Sequence, residues 1–379
     1  MSVARLPRLA LAAWLLAAAV IAGLAVAVAL YLRASPGQGG MRMGPTEALT
    51  RAGGSTPSQP LWGSVLFTAW QLDAIAVAAV VVAATLYLTG VALVPVRSPG
   101  ARWPIARTLS FLAGLAVCIV ATNGSIAVYD QVLFSAHMLG HLALVMVAPA
   151  LIMGGRPLRL ALASAPPGRR ARLARIFTGR VMSLLTAPPV ALATYAAVIV
   201  GSHLTGLMDV IMRDTWAGQL EHLVYVLAGC QFFALIVGDE AIRWRLGSPA
   251  RWLLLAIAMA VDTFTGIVLM QGTGAVHVVQ SALHVNTLAD TRTGGAIMWF
   301  GGDAIMAAIM IGLVVNYLRQ VDTQPGERGW LAQARVATFA THTGAEPSAG
   351  GEAEERDIDR DEAARAAYNK WLEKLASKG

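Results

Sequence analysis

Charged residues are scarce in this sequence: they make up 13% of its 379 residues, whereas soluble domains carry about 25%. Hydrophobic residues reach 56%, and the mean hydropathy is +0.60. This excess lies in long unbroken apolar runs, which excludes a soluble globular enzyme, a disordered protein and a fibrous protein. A transmembrane barrel would alternate apolar and polar residues, whereas these runs are continuous. The sequence therefore predicts an all-α polytopic membrane protein.

Cysteine and lysine are also scarce, and each shortage is informative. The two cysteines, Cys118 and Cys230, provide neither a disulfide framework nor a CxxC metal motif. Both fall in the middle of apolar runs, where we expect small buried apolar groups. Lysine first occurs at position 370, and the arginines before it cluster in short segments between apolar runs. These arginine clusters indicate the orientation of the protein in the membrane, and the net charge of +7 is not a sign of nucleic-acid binding.

Eight apolar runs have about the 20 residues that a helix needs to cross the hydrocarbon layer. They are residues 9–32, 72–94, 108–129, 133–154, 187–207, 217–238, 252–271 and 295–318. The first run is longer than the ~7–15 residues of a signal-peptide core, so we expect a retained N-terminal anchor. The predicted organisation is an anchor at 1–33, an extracytoplasmic Gly/Pro/Ser-rich loop at 34–61, a seven-helix core at 62–320 and a charged tail at 321–379.

Arginine-rich loops predict the orientation, because cytoplasmic loops of membrane proteins carry an excess of basic residues. With the N-terminus placed in the cytoplasm, the cytoplasmic loops of the core are the arginine-rich ones. The segment 155–186 holds seven arginines and no acidic residue. The opposite loops hold Asp130, Asp209, Asp214 and Asp290. We therefore predict a multi-pass protein whose N- and C-termini are both cytoplasmic.

Histidines gather at one depth of this predicted topology. His137 and His141 are four residues apart on the fourth span, so they share one helix face. His203 lies near the outer end of the fifth span, and Glu221 and His222 lie near the start of the sixth. Ionisable side chains inside a bilayer are costly and are therefore functional candidates, and imidazole suits copper, zinc and iron. The pattern predicts a metal site in the outer half of the membrane formed by His137, His141, His222 and His203.

Three other residues are expected to support this site. Glu221 can orient His222 as a hydrogen-bond acceptor. Asp73 lies near the outer surface, and Met138 adjoins His137 with a thioether, which favours Cu(I).

The remaining polar residues of the core have simpler interpretations. His277 and His284 fall in a predicted outer loop, where we expect solvated side chains. The deeper acids Asp262 and Asp303 are expected either to pair with polar neighbours such as Thr263 or to relay protons.

Four motifs occur in order along the core. They are Tyr87-Leu-Thr-Gly90, then His137-Met-Leu-Gly-His141 with an apolar run to Ala148-Pro149 and a closing Gly155-Arg156-Pro157, then Glu221-His222, and last Asp290-Thr-Arg-Thr-Gly294-Gly295-Ala-Ile-Met298-Trp299. Together they resemble the motifs of the CtaG-like cytochrome c oxidase assembly factors. The likeness covers about residues 62–320.

The resemblance implies a non-enzymatic assembly factor for haem–copper oxidases in the bacterial cell membrane. It implies copper as the metal, bound as Cu(I) by a chaperone, and it implies cytochrome c oxidase subunits and the lipid bilayer as partners. Two other functions stay open. One is a haem-binding redox protein in which His141 and His222 are axial ligands, and the other is a copper or proton transporter that uses Asp262 and Asp303.

Overall fold

The structure is a computed structural model, and it describes residues 61, 63–130, 132–205, 207–208, 211, 215–237, 239–272 and 285–323. These residues are mostly helical and contain no strand. The predicted anchor, the Gly/Pro/Ser-rich loop up to residue 60 and the tail beyond residue 323 lie outside the described residues, and so do His277 and His284.

The helices follow one another with short connections. In chain order they are α1 Val65–Thr68, α2 Ala74–Arg97, α3 Ile105–Asn123, α4 Ser125–Asp130, α5 Phe134–Leu142, α6 Ala148–Gly154, α7 Pro157–Ser164, α8 Pro167–Phe177, α9 Arg180–Leu185, α10 Pro188–His203, α11 Thr215–Ile236, α12 Ser248–Gln271, α13 Thr287–Ala296 and α14 Gly302–Thr323. Two π-helical turns, Ala143–Val147 and Ile297–Gly301, join α5 to α6 and α13 to α14. The helices up to Ile311 belong to one compact unit, and the last turns of α14, from Gly312, belong to a second.

Six helical stretches of the described residues are long and apolar enough to cross a membrane. They are Ala74–Arg97, Ile105–Asp130, Phe134–Ser164, Trp216–Ile236, Ser248–Gln271 and Thr287–Leu318. Each of them overlaps a predicted span of the core. The remaining core span, predicted at 187–207, corresponds to α10, whose 16 residues fall short of the ~20 that cross a bilayer unaided. The prediction of an all-α polytopic membrane protein is therefore confirmed. The predicted number of spans agrees approximately with the six stretches found among the described residues.

Small residues allow the helices to approach closely, as is usual inside membranes. A Cβ on Gly114 of α3 would lie 2.8 Å from the carbonyl oxygen of Ala148, at the start of α6. Gly266 of α12 and Gly295 of α13 face each other, and a Cβ on either would lie 2.8 Å from the other's carbonyl oxygen. Larger side chains at these positions would push apart the helix pairs that form the core.

Helix α5, the π-helical turn Ala143–Val147 and α6 form one continuous helical rod, which carries His137 and His141. Its helical pitch changes at one place. Pro149 has no N–H to donate, and its ring crowds the carbonyl of Val145, four residues earlier. The π-helical turn Ala143–Val147 directly before Pro149 accommodates this missing hydrogen bond by widening the helix. His141 therefore lies in the last regular turn before the widened segment.

The opposite end of this rod closes in a sharp turn at residues 155–157. Arg156 adopts a left-handed backbone conformation there, with φ of 55°. The Tyr87 hydroxyl donates to the Gly155 carbonyl at 2.7 Å, and the indole N–H of Trp103 donates to the Tyr87 hydroxyl at 3.0 Å. Side chains from α2 and from the loop before α3 therefore hold the turn.

Two acidic residues after α11 pair with this arginine-rich end. Asp239 forms ion pairs with Arg156 and Arg159. Partial burial raises the pKa of Asp239, but the two arginines lower it more, so the pKa lies below its ordinary value. Glu240 accepts a hydrogen bond from the backbone N–H of Arg159 at 3.1 Å, and burial raises its pKa to about 7.

Candidate metal site

The start of α5 is fixed by a carboxylate from another helix. Asp290 of α13 accepts hydrogen bonds from the backbone N–H of Phe134 at 2.6 Å and from the hydroxyl of Ser135 at 2.5 Å. N–H groups in the first turn of a helix have no partner within the helix, and the helix dipole favours a negative charge beside them. This cap fixes the point at which α5 begins, and with it the positions of His137 and His141.

Three histidine rings meet between α5 and α10. The ring centroid of His203, the last residue of α10, lies 4.6 Å from that of His141 and 5.9 Å from that of His137. The three residues are almost completely buried, with 1–3% of their surface exposed. We refer to His137, His141 and His203 as the histidine cluster.

Hydrogen bonds determine the tautomers of two of these rings. Nδ1 of His203 lies 2.8 Å from the carbonyl oxygen of Ile199, which can only accept, so this nitrogen carries the proton. Nδ1 of His137 donates in the same way to the Asp130 carboxylate at 2.7 Å. In the neutral rings, Nε2 therefore carries the free lone pair. A carboxylate or carbonyl behind the other ring nitrogen is typical of metal-ligating histidines.

Four buried nitrogen atoms of the histidine cluster have no hydrogen-bond partner: Nε2 of His137, both nitrogens of His141 and Nε2 of His203. An unpaired buried polar group costs about 1–3 kcal/mol, so several of them together call for an explanation. A bound cation would pair with one lone-pair nitrogen on each ring and would leave the protonated nitrogen of neutral His141 without a partner. As the side chains stand, no group of three or more His, Cys, Asp or Glu residues in the described part of the chain is close enough to hold a metal ion. Rotation of the imidazoles would have to bring their nitrogens together.

A carboxylate and a phenol from α11 complete the surroundings of the cluster. Oε1 of Glu221 lies 3.8 Å from Nε2 of His137, and the Tyr225 hydroxyl donates to the same oxygen. The Tyr225 ring packs edge-on against His141, with 4.6 Å between the centroids. Both α11 residues are buried. Glu221 thus places a potential negative charge beside the unpaired nitrogens, and a buried cation needs such a charge.

His222, which the sequence predicts as a ligand, points to a different side of α11. Successive helix residues are rotated by about 100°, so His222 and Glu221 face different neighbours. His222 lines a cavity of about 500 Å³ together with Cys118 and Cys230. The structure brings Glu221, rather than His222, next to the histidine cluster.

Asp73 and Met138, both predicted to support the site, are engaged elsewhere. Asp73 accepts hydrogen bonds from two backbone N–H groups in the first turn of α2, and the Gln219 side chain donates to it at 2.7 Å. It therefore caps α2 and links it to α11. Met138 is fully buried, and its Cγ lies 3.1 Å from where a Cβ on Gly294 would be, so it packs against α13.

The deeper acids pair with hydroxyl groups. The Thr263 hydroxyl donates to Asp303 at 3.1 Å, which confirms the expected pairing with a polar neighbour. The Tyr195 hydroxyl donates to Asp262 at 3.0 Å, a contact between α10 and α12 that the sequence does not indicate. The proton relay through these acids stays a prediction.

Sequence reasoning does not single out Asp130 or Tyr225 as site residues. Tyr225 is four residues after Glu221, and this spacing is the signal that points to it. Asp130 reaches His137 across the junction between α4 and α5, where no helical spacing applies.

The histidine cluster lies in the part of the chain that matches a known family. Residues 85–320 match the family model described as cytochrome c oxidase caa3 assembly factor. The chain belongs to this family. Membership in the caa3 assembly factor family confirms the resemblance drawn from the sequence motifs. Asp130, Glu221 and Tyr225 also lie within the matched residues, whereas Asp73 precedes them.

Uncharacterised mycobacterial proteins are similar to this member of the caa3 assembly factor family. The proteins from Mycobacterium bovis and Mycobacterium tuberculosis are each 30% identical over 276 residues, which is 70% of this chain and 41% of the relative. The Mycobacterium leprae protein is 29% identical over 270 residues, which is 67% of this chain and 40% of the relative. This chain therefore spans about two fifths of the length of these relatives. No solved structure matches the chain.

Proposed function

We propose that this protein binds Cu(I) at the histidine cluster and passes it to a cytochrome c oxidase subunit in the same bilayer, as a non-enzymatic assembly factor. The observation that carries the proposal is the set of buried imidazole nitrogens without partners on three adjoining rings, in a chain of the caa3 assembly factor family. Copper is here the cargo of the protein.

The donor set supports copper on chemical grounds. Imidazole nitrogen suits copper, zinc and iron, and among these metals the haem–copper oxidases contain copper as a separate ion. A single ion between the imidazoles needs no space for a large cofactor, in agreement with the close packing of the three rings.

Each residue has a distinct role in this proposal. His137 and His203 offer Nε2 lone pairs, because Asp130 and the Ile199 carbonyl hold their Nδ1 protons. His141 lies next to His203 with both nitrogens unpaired. Glu221 balances the charge of the ion. The side chains of the described residues do not stand in a complete coordination geometry, so binding of the ion requires the imidazole rings to rotate.

Depth in the membrane also favours delivery to an oxidase. In the predicted orientation the cluster lies in the outer half of the bilayer, which is the side where oxidase copper centres lie. Asp130 and Asp290 lie at the same end of the helices as the cluster. The arginine-rich turn at 155–157 is at the other end of the rod, roughly 20 Å away at 1.5 Å per residue.

The packing gives less support to haem. A porphyrin has to lie between its two axial nitrogens, whereas the His141 and His203 rings meet edge to face with centroids 4.6 Å apart. His222, the other axial ligand proposed from the sequence, lines a different cavity. A haem protein would therefore require these helices to separate.

Copper binding by the purified full chain tests the proposal. The protein is loaded with Cu(I) under reducing conditions in detergent, and bound copper is measured by mass spectrometry and by competition with a Cu(I) chelator. We expect one copper per chain, and His141→Ala should weaken binding by more than about tenfold, because loss of a ligand should exceed the effect of a supporting residue.

His222→Ala is the matched control, since it removes an imidazole at a similar depth from the other side of α11. Its affinity should equal that of the wild type. An absence of copper binding by the wild type would refute the proposal, and so would an equal loss in the two variants, because the effect would then not be specific to the histidine cluster. A Soret absorption band in the purified protein would favour the haem function instead.

A further inference from the structure

Helices α8 and α9 carry an exposed row of arginines. The row consists of five residues, Arg169, Arg170, Arg172, Arg175 and Arg180. The segment 155–186 contains no acidic residue that could neutralise them. The arginine ion pairs of the described residues involve Arg156 and Arg159 and none of these five. The five guanidinium groups therefore form a concentrated positive surface.

Large apolar side chains are exposed on the same two helices. Ile176 is 52% exposed, Val181 74%, Leu184 64% and Leu185 48%. On α8, Phe177 is buried and marks the face that packs on the protein. A surface that presents arginines and aliphatic side chains together is typical of helices that lie in the headgroup region of a membrane.

Contacts with the bundle place α9 at the level of the spanning helices' ends. The Gln231 side chain, near the end of α11, donates to the Leu185 carbonyl at 2.6 Å. The Trp244 indole N–H donates to the Ser183 carbonyl, also at 2.6 Å. Helix α10 begins at Pro188, directly after these residues. The exposed aliphatic side chains of α9 are therefore held beside the start of α10 and the last turns of α11.

We propose that α8 and α9 form a binding surface for anionic phospholipids. The guanidinium groups pair with the lipid phosphates, for which arginine has the matching donor geometry. The exposed aliphatic side chains insert at the boundary between headgroups and acyl chains. An acidic protein surface would match the arginines, but its charged side chains would offer no apolar partner to these aliphatic side chains. The surface is at the opposite end of the bundle from the histidine cluster, and its role does not depend on copper.

Lipid selection in bilayers of defined composition tests this proposal. The full chain is placed in nanodiscs made from equal amounts of phosphatidylglycerol and phosphatidylcholine, and the retained lipids are counted by native mass spectrometry. We expect the wild type to retain phosphatidylglycerol preferentially. The variant R169Q/R170Q/R172Q/R175Q should bind it at least about tenfold more weakly, since each basic residue near an anionic surface contributes a several-fold effect. Preference should also fall with added salt.

A second variant controls for net charge. R97Q/R102Q/R243Q/R245Q removes four exposed arginines, one from the last turn of α2 and three from other loops at the same end of the bundle, and we expect it to keep the preference of the wild type. Equal losses in the two variants would overturn the proposal in favour of a general charge effect. A wild type without preference, or an α8 variant with unchanged preference, would also overturn it. Loss of oxidase binding with intact lipid retention would instead assign the surface to a protein. Thermal melting of each variant checks that the fold is intact.

Discussion

Substitution of Asp130 by asparagine tests whether this carboxylate orients His137 for metal binding. Asp130 accepts the hydrogen bond from Nδ1 of His137 at 2.7 Å, and this bond leaves Nε2 free for a metal ion. Asparagine has nearly the same size but is neutral, and its amide can donate as well as accept. The variant therefore weakens the bond and allows His137 to adopt the opposite tautomer. Loss of such a supporting group lowers metal affinity about 10- to 100-fold, which is about 1.4–2.7 kcal/mol.

Chelator competition with Cu(I) measures this change, and the nitrogen-15 chemical shifts of His137 report its tautomer. Asp303→Asn is the control, because Asp303 is another carboxylate that accepts a side-chain hydrogen bond, from the Thr263 hydroxyl at 3.1 Å. We expect copper affinity to stay at the wild-type value in the control. Unchanged affinity and unchanged shifts in Asp130→Asn would refute the assigned role of the carboxylate.

Three further predictions concern the cap, the buried acid and the orientation. Asp290→Ala leaves the first N–H groups of α5 without an acceptor and should lower the free energy of unfolding by about 0.5–2 kcal/mol; an unchanged melting temperature in detergent would contradict the cap. Burial raises the pKa of Glu240 to about 7, so the folded protein keeps a proton that the unfolded chain releases above its ordinary pKa of 4.5. Thermal stability should therefore fall as the pH rises from 4.5 to 7, by at most about 1.4 kcal/mol per pH unit, and Glu240→Gln should flatten this dependence; equal slopes in both proteins would contradict the prediction. Reporter fusions should place Arg170 in the cytoplasm, and an external signal at Arg170 would reverse the predicted topology.

The pairing of His137 with His141 could be predicted because it depends on one helix alone. Residues four apart share a face whatever the fold is, and the structure keeps both on a regular helix up to Leu142. Their meeting with His203 depends on depth in the membrane, which the arginine-rich loops indicate. The lengths of the helices and the charges of the loops were therefore enough to predict that His137, His141 and His203 lie close together.

The choice between Glu221 and His222 could not be made from the sequence. In a water-soluble helix the apolar face points inward, so the pattern identifies the buried side. In a bilayer both sides of α11 are apolar: Leu220 and Leu223 are 60% and 53% exposed, whereas Glu221 is 6% exposed. The apolar pattern therefore leaves the inward face of α11 undefined, and only the packing against α5 and α10 defines it.

The capping roles of two acids differ in how far the sequence indicates them. The position of Asp73 just before an apolar run is an N-cap signal, and the structure uses it in that way. Asp290 caps a helix that begins 156 residues earlier, at Phe134. Contacts over such distances in the chain depend on tertiary packing and leave no local pattern.

If the histidine cluster supplies copper to an oxidase, the copper content of the oxidase made in cells depends on the cluster. The oxidase is purified from cells that lack this protein and carry, in its place, the wild type, His141→Ala or His222→Ala at equal membrane levels. With His141→Ala we expect an oxidase that is assembled but poor in copper and is partly restored by copper in the medium, whereas the wild type and His222→Ala should give a fully loaded oxidase. A fully loaded oxidase with His141→Ala would contradict the supply of copper by the histidine cluster.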